Sequence, residues 1–146
     1  MKIVVQRVNS SSVEVDGKIT GSISRGVMLL VGIHKSDTKE TIEWCCNKVL
    51  NLRIFEDDDG KMNQSVADIN GGILVVPQFT LYGDASKGTR PSFTDAASPK
   101  IAGPLFDQMV DKFNEVYSGP VAKGVFGAMM NVSLVNNGPV TILLER

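Results

Sequence analysis

The chain has 146 residues, of which 42% are hydrophobic and 21% are charged, and this composition predicts one globular domain over residues 1–146. Its 15 Lys and Arg residues are balanced by 16 Asp and Glu residues, which disfavours a protein that wraps a long nucleic-acid duplex but not one that contacts a chain end. No run approaches the roughly 18 apolar residues of a membrane span, and no secretory leader is recognisable. We therefore expect a cytoplasmic protein with no membrane segment.

The first third of the chain predicts strands. Residues 2–8 are rich in β-branched side chains, and Asp16-Gly17 is a strong two-residue hairpin signal. Residues 26–33 form a continuous apolar run of strand length, which indicates a strand covered on both faces.

A helix is predicted next, from about residue 38 to residue 52. Asp37 and Glu40 have the spacing of a capping box, and apolar residues then recur at three- and four-residue intervals. Residues 53–61 predict a short strand and an acidic turn, and residues 73–79 predict another strand.

The second half begins with a polar loop over residues 82–93. Ser98-Pro99 then predicts the start of a second helix, whose apolar stripe we expect at Ile101, Leu105, Met109, Phe113 and Val116. Gly119-Pro120 ends this helix.

The last quarter of the chain returns to strands. Residues 132–135 and 140–144 are strand-like runs on either side of Gly138-Pro139. Because proline cannot donate to a sheet ladder, Pro139 must lie at an edge, a strand start or a tight turn. The expected fold class is mixed α and β, with layered β-sheets and two main helices that cover one side.

Few residues offer acid–base or metal chemistry. His34 is the only histidine and follows a strand, so a structural or solvated role is the better interpretation. Cys45 and Cys46 are adjacent and predict reduced thiols, neither a disulfide nor a zinc site. The acidic run 56–59 favours a solvated hairpin turn over a cation site, and we predict no metal site and no cofactor.

Three other segments have polar or small residues that a simple strand or loop does not need. Residues 86–91 combine two cations with two hydroxyls, and both a solvated loop and an anion contact remain open. Gly124 and Gly127 predict either close backbone packing or the small-residue wall of a pocket. Gln78 and Thr80 are polar side chains at the end of a strand.

Thr80 lacks an evident base that would activate its hydroxyl, so we interpret it as a hydrogen-bonding residue rather than a nucleophile. The backbone N–H groups of Phe79 and Thr80 are better candidates, because such groups can stabilise a developing oxyanion. This interpretation explains how the chain could catalyse a reaction without an acid–base dyad.

The chain resembles the D-aminoacyl-tRNA deacylase family, which frees tRNA from mischarged D-amino acids. The resemblance covers essentially the whole chain and is strong because five segments match in the same order: residues 5–8, 78–81, 87–93, 124–129 and 137–141.

The resemblance implies a homodimeric hydrolase of translation quality control that binds the 3′ acceptor end of aminoacyl-tRNA at sites on the subunit interface. Gly138 and Pro139, joined by a cis peptide bond, would enter the site of the other subunit and reject an L-side chain by collision. Arg7 would brace this dipeptide. Glycine, being achiral, would pass the same filter.

Catalysis in such a family would rest on Gln78 and on the backbone N–H groups of Phe79 and Thr80, with the 2′-hydroxyl of the terminal adenosine activating water. The resemblance places that adenosine beside the 124–129 backbone, including Ala128 and Met129. It implies no metal or organic cofactor.

One residue departs from the family pattern. Pro77 stands where the family usually has Ser before Gln-Phe-Thr-Leu, which removes a donor and a hydroxyl. A related animal deacylase with relaxed chiral selection also has Pro there, but it has Ala after the Gln and Tyr after Gly-Pro. This chain has Phe79 and Val140 at those positions, so it resembles the strictly D-specific enzymes more closely.

Two functions of other kinds remain open. A non-catalytic RNA-binding module that docks the tRNA acceptor end is compatible with the missing acid–base dyad. The other is a Thr80-dependent esterase or amidase that acts on small molecules.

Overall fold

A computed structural model describes residues 1–146. Its strands are β1 (Lys2–Val15), β2 (Lys18–Ile23), β3 (Gly26–Gly32), β4 (Phe55–Glu56), β5 (Met62–Gln64), β6 (Gly72–Pro77), β7 (Val121–Lys123) and β8 (Asn131–Glu145). Its α-helices are α1 (Lys39–Asn51) and α2 (Pro99–Val116), and a 3-10 helix covers Phe79–Tyr82. The mixed α and β class predicted from the sequence is confirmed.

One six-stranded sheet forms the centre of the molecule in the order β2-β1-β3-β6-β7, with β8 paired to the other side of β1. β1, β2, β3 and β8 pair antiparallel, whereas β6 pairs parallel with β3 and β7. The sheet curves so strongly that β2 contacts β7. The β layers that the sequence predicts are therefore parts of one curved sheet.

The hydrophobic core lies on both faces of this sheet. A cluster of 25 buried residues joins one face to α1 and α2, whereas the opposite face buries a cluster of 6. Burial of apolar side chains is the main favourable term in folding, so the helix-covered face contributes most of it. No helix of the structure has both the length and the apolar character needed to span a bilayer.

The predicted hairpin is present at Asp16 and Gly17, which join β1 to β2 with Val15 paired to Lys18. Both turn residues have positive φ, +50° for Asp16 and +75° for Gly17. A two-residue turn of this kind matches the right-handed twist of its strands and is most easily formed by Asp-Gly.

The predicted cap of α1 is wrong by one residue. Thr38 is the N-cap, and its N–H donates to the Thr41 hydroxyl at 3.3 Å. The Asp37 carboxylate is already engaged, since it accepts from the His34 N–H and from the amino group of Met1, each at 2.7 Å.

The apolar stripe of α2 is also partly wrong. Met109 and Phe113 are buried as expected, but Ile101 and Val116 are exposed and the core contact includes Phe106. Steps of four residues overshoot a full helical turn by about 40° each, so the predicted stripe moves away from the buried face.

The strand predicted over residues 73–79 ends at Pro77, and the chain turns into the 3-10 helix. β3, the strand beside it, ends at Gly32, and the last pairing is Val31 with Pro77. One more backbone hydrogen bond follows, from the Gln78 N–H to the Val31 carbonyl at 2.8 Å. After it, β3 offers no further residue with which the chain could pair.

Gly138 and Pro139 lie within one long strand, β8, rather than in a turn between two strands. Gln6 pairs with Thr141 and Val8 with Asn136, so Arg7 alone faces residues 137–140. We call residues 137–140 the bulge. Because β8 pairs only with β1, Pro139 lies on an edge strand, as its missing N–H requires.

Candidate active site

A cavity of about 660 Å³ opens where β3 and β6 end. Its walls are the start of the 3-10 helix, the start of α2 and the segment from Phe126 to Met130. Gly127 lies in this wall with φ +78°, a conformation that L side chains rarely adopt. Gly124 instead packs closely, since a Cβ there would lie 2.8 Å from the Met130 sulfur.

The cavity is apolar and has no titratable side chain. Only two of its lining side chains, those of Gln78 and Ser98, carry a nitrogen or oxygen atom. General acid–base catalysis needs a positioned proton donor or acceptor, and the wall offers none from a side chain. Any chemistry in this cavity must therefore use backbone groups or groups of the bound molecule.

Two backbone donors are available where the 3-10 helix begins. Phe79 and Thr80 are its first residues, so their N–H groups have no acceptor inside the helix. Phe79 and Gln78 line the cavity, whereas Thr80 does not. Adjacent N–H groups at a helix start are suited to stabilise negative charge on an oxygen.

The Thr80 hydroxyl has no base beside it. The Gln78 side-chain amide donates to its oxygen, and an amide N–H cannot accept the hydroxyl proton. This contact favours the interpretation of Thr80 as a hydrogen-bonding residue over that of a nucleophile.

Large apolar side chains form an exposed rim around the opening. Phe79 is 58% exposed and contacts the Phe93 ring edge-on, with ring centroids 5.2 Å apart. Met129 is 92% exposed and, like Ala128 before it, lines the cavity. Exposed apolar groups at a concave site are typical of ligand contacts, and aromatic rings in particular stack on bases.

The bulge is held from inside by Arg7. Its Nε donates to the Asn137 carbonyl at 3.0 Å and its Nη1 to the Ile54 carbonyl at 2.7 Å. The side chain is almost fully buried, and its Nη2 lies 3.9 Å from the Glu56 carboxylate. The peptide bond between Gly138 and Pro139 is cis.

The structure brings only part of the predicted site together within one chain. Four of the predicted residues line the cavity, namely Gln78, Phe79, Ala128 and Met129. Thr80 directly follows the lining residue Phe79. The other three, Arg7, Gly138 and Pro139, lie at the bulge and line no part of the cavity.

Several lining residues were not singled out from the sequence. The start of α2 contributes Ser98, Pro99 and Ala102, and the preceding loop contributes Ala96 and Ala97. Their small size was the available signal, because small residues leave room for a ligand beside a helix start. Pro77 also lines the cavity, so the departure from the family pattern lies in the site.

The remaining candidates take structural roles. His34 shares a 2.7 Å hydrogen bond with the Ser36 hydroxyl, and Asp57 organises its turn by accepting from the N–H groups of Asp59 and Lys61 at 3.0 and 2.9 Å. Burial raises the pKa of Cys45 to about 11 and that of Cys46 to about 12, so both thiols stay protonated and unreactive. No three His, Cys, Asp or Glu side chains are grouped to hold a metal ion.

The loop over residues 86–91 is exposed throughout. Asp84 and Ser92 close it with two backbone hydrogen bonds of 2.8 Å, and Lys87 and Arg90 form no salt bridge. The solvated-loop and anion-contact interpretations both remain compatible with this arrangement.

The fold and the cavity define a mixed α/β protein with an apolar site served by backbone donors. The family model described as D-Tyr-tRNA(Tyr) deacylase matches residues 4–145. Two relatives called D-aminoacyl-tRNA deacylase, from Opitutus terrae and from Thermosipho melanesiensis, are each 53% identical over 145 residues, which are 99% of this chain and 97% of each relative. The chain belongs to this family, as its motifs predicted, and its enzyme class is that of the hydrolases acting on ester bonds.

Two solved structures share the fold of this chain. A structure described as c-Myc DNA Unwinding Element Binding Protein superposes with a TM-score of 0.95 at 41% identity, covering 100% of this chain and 99% of that one. Another, described as a probable eukaryotic D-amino acid tRNA deacylase, has a TM-score of 0.84 at 19% identity over 98% and 97% of the two chains. The second match shows a shared fold.

Proposed function

We propose that this protein hydrolyses the ester bond of D-aminoacyl-tRNA, releasing free tRNA and the D-amino acid. The observation that carries the proposal is a cavity without titratable side chains, in which Phe79 and the adjoining Thr80 begin a helix with two unpaired N–H groups. An activated ester linked to a ribose suits such a site, because the substrate itself brings a hydroxyl. The names and 53% identity of the relatives support the same substrate.

We infer that the N–H groups of Phe79 and Thr80 stabilise the oxyanion that forms when water attacks the ester carbonyl. The 2′-hydroxyl of the terminal adenosine then assists the attacking water, since no side chain of the cavity can accept its proton. Gln78 shapes the wall and orients the Thr80 hydroxyl through its amide. Preorganised donors of this kind are often the largest single term in catalysis.

The terminal adenosine is proposed to bind against the Ala128 and Met129 wall. Phe79 and Phe93 offer ring surfaces at the rim, and base–aromatic stacking contributes roughly 1–3 kcal/mol per base. The 3′ acceptor end thus enters the cavity while the rest of the tRNA stays outside. This limited contact is compatible with a net charge of −1.

Chiral selection is proposed to need a second copy of the chain. Gly138 and Pro139 are the exposed residues of the bulge and do not line the cavity of their own chain. In a homodimer joined through β8, they enter the cavity of the other subunit and close the space that an L-side chain needs. Glycyl-tRNA has no side chain to collide and is expected to be a second substrate.

The exposed face of β8 supports this assembly. β8 pairs with β1 on one side only, and Leu134, Val135 and Leu143 are exposed along it. A long apolar edge strand is normally covered in native proteins. We propose that a second copy of the chain covers these apolar side chains of β8. Both active sites of the dimer would then lie at the subunit interface.

We further propose that residues 1–146 act as one domain, since a single cluster of buried residues links the sheet with both α-helices. The activity is placed in the cytoplasm, where aminoacyl-tRNA is made and used. It is expected to need no cofactor.

The direct test is single-turnover hydrolysis of D-Tyr-tRNA and L-Tyr-tRNA with a chelator present. We expect rapid loss of the D-ester and at least about 10³-fold slower loss of the L-ester, a difference of about 4 kcal/mol in activation free energy. Hydrolysis of neither ester would overturn the proposal. Equal hydrolysis of both esters would show that the chain does not select by chirality. It would point to Pro77, the residue that departs from the family pattern, as the cause.

Replacing Gly138 with alanine is expected to lower D-Tyr-tRNA turnover by about 10- to 100-fold, the effect of a small misplacement at a catalytic site. A Cβ at Gly138 would lie 3.0 Å from the Asn136 side-chain amide, which must give way by a few tenths of an ångström, and in the proposed dimer the added methyl group would itself intrude on the substrate in the other subunit's cavity. Ser24→Ala, in the exposed turn between β2 and β3 and outside both the cavity and β8, is the control and should retain wild-type turnover. Wild-type turnover and selectivity in Gly138→Ala would contradict the proposed geometry.

A nucleic-acid-binding role without catalysis is the second candidate. It is favoured by the 41% identical structure, whose description names a DNA element as its ligand. The same assay separates the two functions, because a pure binding protein would protect D-Tyr-tRNA from spontaneous hydrolysis instead of accelerating it.

A further inference from the structure

The bulge is bridged on its outer side by the Gln6 side chain. Gln6 Nε2 donates to the Asn136 side-chain oxygen, immediately before the bulge. Gln6 Oε1 accepts from the Thr141 hydroxyl at 2.9 Å, immediately after it. The two ends of the bulge are thus joined through a single amide, and we call these three residues the Gln6 bridge.

The Gln6 bridge and Arg7 act from opposite sides. Successive side chains of a strand point to opposite faces, and Arg7 is 4% exposed whereas Gln6 is partly exposed. Arg7 holds the Asn137 carbonyl from the buried face. The bulge is therefore held from both faces of β1, by the Arg7 guanidinium on the buried face and by the Gln6 amide on the partly exposed face.

We propose that Gln6 is a positioning residue that sets the preference for D- over L-aminoacyl-tRNA by fixing how far Gly138 and Pro139 project; this inference rests on the proposed function. Arg7 contacts only the Asn137 end of the bulge, and the Thr141 end is held by the backbone pairing of Thr141 with Gln6, so neither contact fixes the distance between the two ends. The Gln6 bridge sets that distance, because one amide joins Asn136 to Thr141. Without it the bulge can flatten, the dipeptide projects less, and an L-side chain gains the space that it otherwise lacks.

Selection by collision requires a rigid obstacle. A hydrophobic pocket separates similar ligands weakly, and strong rejection needs an element held against displacement. Loss of the Gln6 bridge therefore acts mainly on the rejected substrate. The L-ester rate rises, while the D-ester rate changes less because a D-side chain points away from the obstacle.

The test compares Gln6→Leu, which keeps the size of the side chain without its hydrogen bonds, with Gln108→Leu. Gln108 is exposed on α2 and lies outside the cavity and the bulge, so it makes the same chemical change elsewhere. The D-to-L ratio of single-turnover rates is expected to fall by about 10-fold or more in Gln6→Leu. It should stay at the wild-type value in Gln108→Leu.

Thr141→Val removes only one contact of the Gln6 bridge and should give a smaller fall in the same ratio. It also supplies an answer if Gln6→Leu does not fold, as judged by circular dichroism and gel filtration. A wild-type ratio in the folded variants would overturn the role of Gln6. A wild-type protein that does not hydrolyse the D-ester would overturn the proposed function itself, so the two failures are distinguishable.

Discussion

Phe79→Pro is expected to lower the single-turnover rate on D-Tyr-tRNA by about 10²- to 10³-fold relative to Phe79→Ala, the usual effect of losing one oxyanion donor. Both variants lose the aromatic ring, but only proline removes the backbone N–H. The ratio of the two rates therefore isolates the contribution of that N–H group.

The local backbone accepts this substitution. Phe79 is the first residue of the 3-10 helix, a position where proline is tolerated because no helical hydrogen bond is lost. Gln78 has φ −145° and ψ 77°, outside the α region that a following proline disfavours. Phe79 is already 58% exposed, so the thermal midpoints of the two variants should be similar.

Thr80→Ala completes this experiment, since it removes the hydroxyl and keeps the N–H. Its rate is expected to stay within about threefold of wild type, because a threonine without a neighbouring base is a poor nucleophile. Equal rates for Phe79→Pro and Phe79→Ala would contradict the backbone mechanism. A severe loss in Thr80→Ala would instead revive the Thr80-dependent hydrolase.

Sequence signals that act locally predicted much of the fold. Asp16 and Gly17 specify their hairpin through two adjacent positive φ angles, a requirement that few residue pairs meet. The apolar run 26–33 predicts a buried strand because no alternating polar face is present. In both cases the residues that determine the structure are neighbours in the chain.

Boundaries that depend on distant partners were harder to predict. β6 ends at Pro77 because β3 ends at Gly32. The residues near Pro77 do not indicate where β3 ends, so the sequence around β6 could not predict its boundary. Asp37 has the composition of a helix cap, but its carboxylate is used by the amino group of Met1 and the His34 N–H. Tertiary contacts override local preference at both sites.

In the candidate site too, local sequence motifs could be predicted, whereas contacts between distant residues could not. Gln78, Phe79 and the segment 126–130 meet because β6 and β7 are parallel neighbours, which the spacing of these residues does not reveal. The bridge across the bulge is likewise invisible in the sequence, because Gln6 and its contacts come from opposite ends of the chain. Family motifs indicated the residues, and the fold supplied their relative positions.

Leu143→Arg is expected to dissociate the proposed homodimer and, with it, to abolish the preference for the D-ester over the L-ester at low protein concentration. Leu143 is 76% exposed on β8, so the isolated subunit should fold normally. Burying a leucine side chain contributes about 1.5–3 kcal/mol, and each dimer loses two such contacts and must also bury two arginines. The dissociation constant should therefore rise by more than about 100-fold.

Ile19→Arg is the matched control, because Ile19 is a comparable apolar residue, 58% exposed on β2, away from β8. It should remain dimeric and active in sedimentation and turnover measurements made over a range of concentrations. In Leu143→Arg, the D-to-L ratio of rates should return to the wild-type value as the protein is concentrated, since each cavity would regain Gly138 and Pro139 from a second copy. A monomeric Leu143→Arg that still rejects the L-ester would place the whole filter within one chain and contradict an interfacial active site.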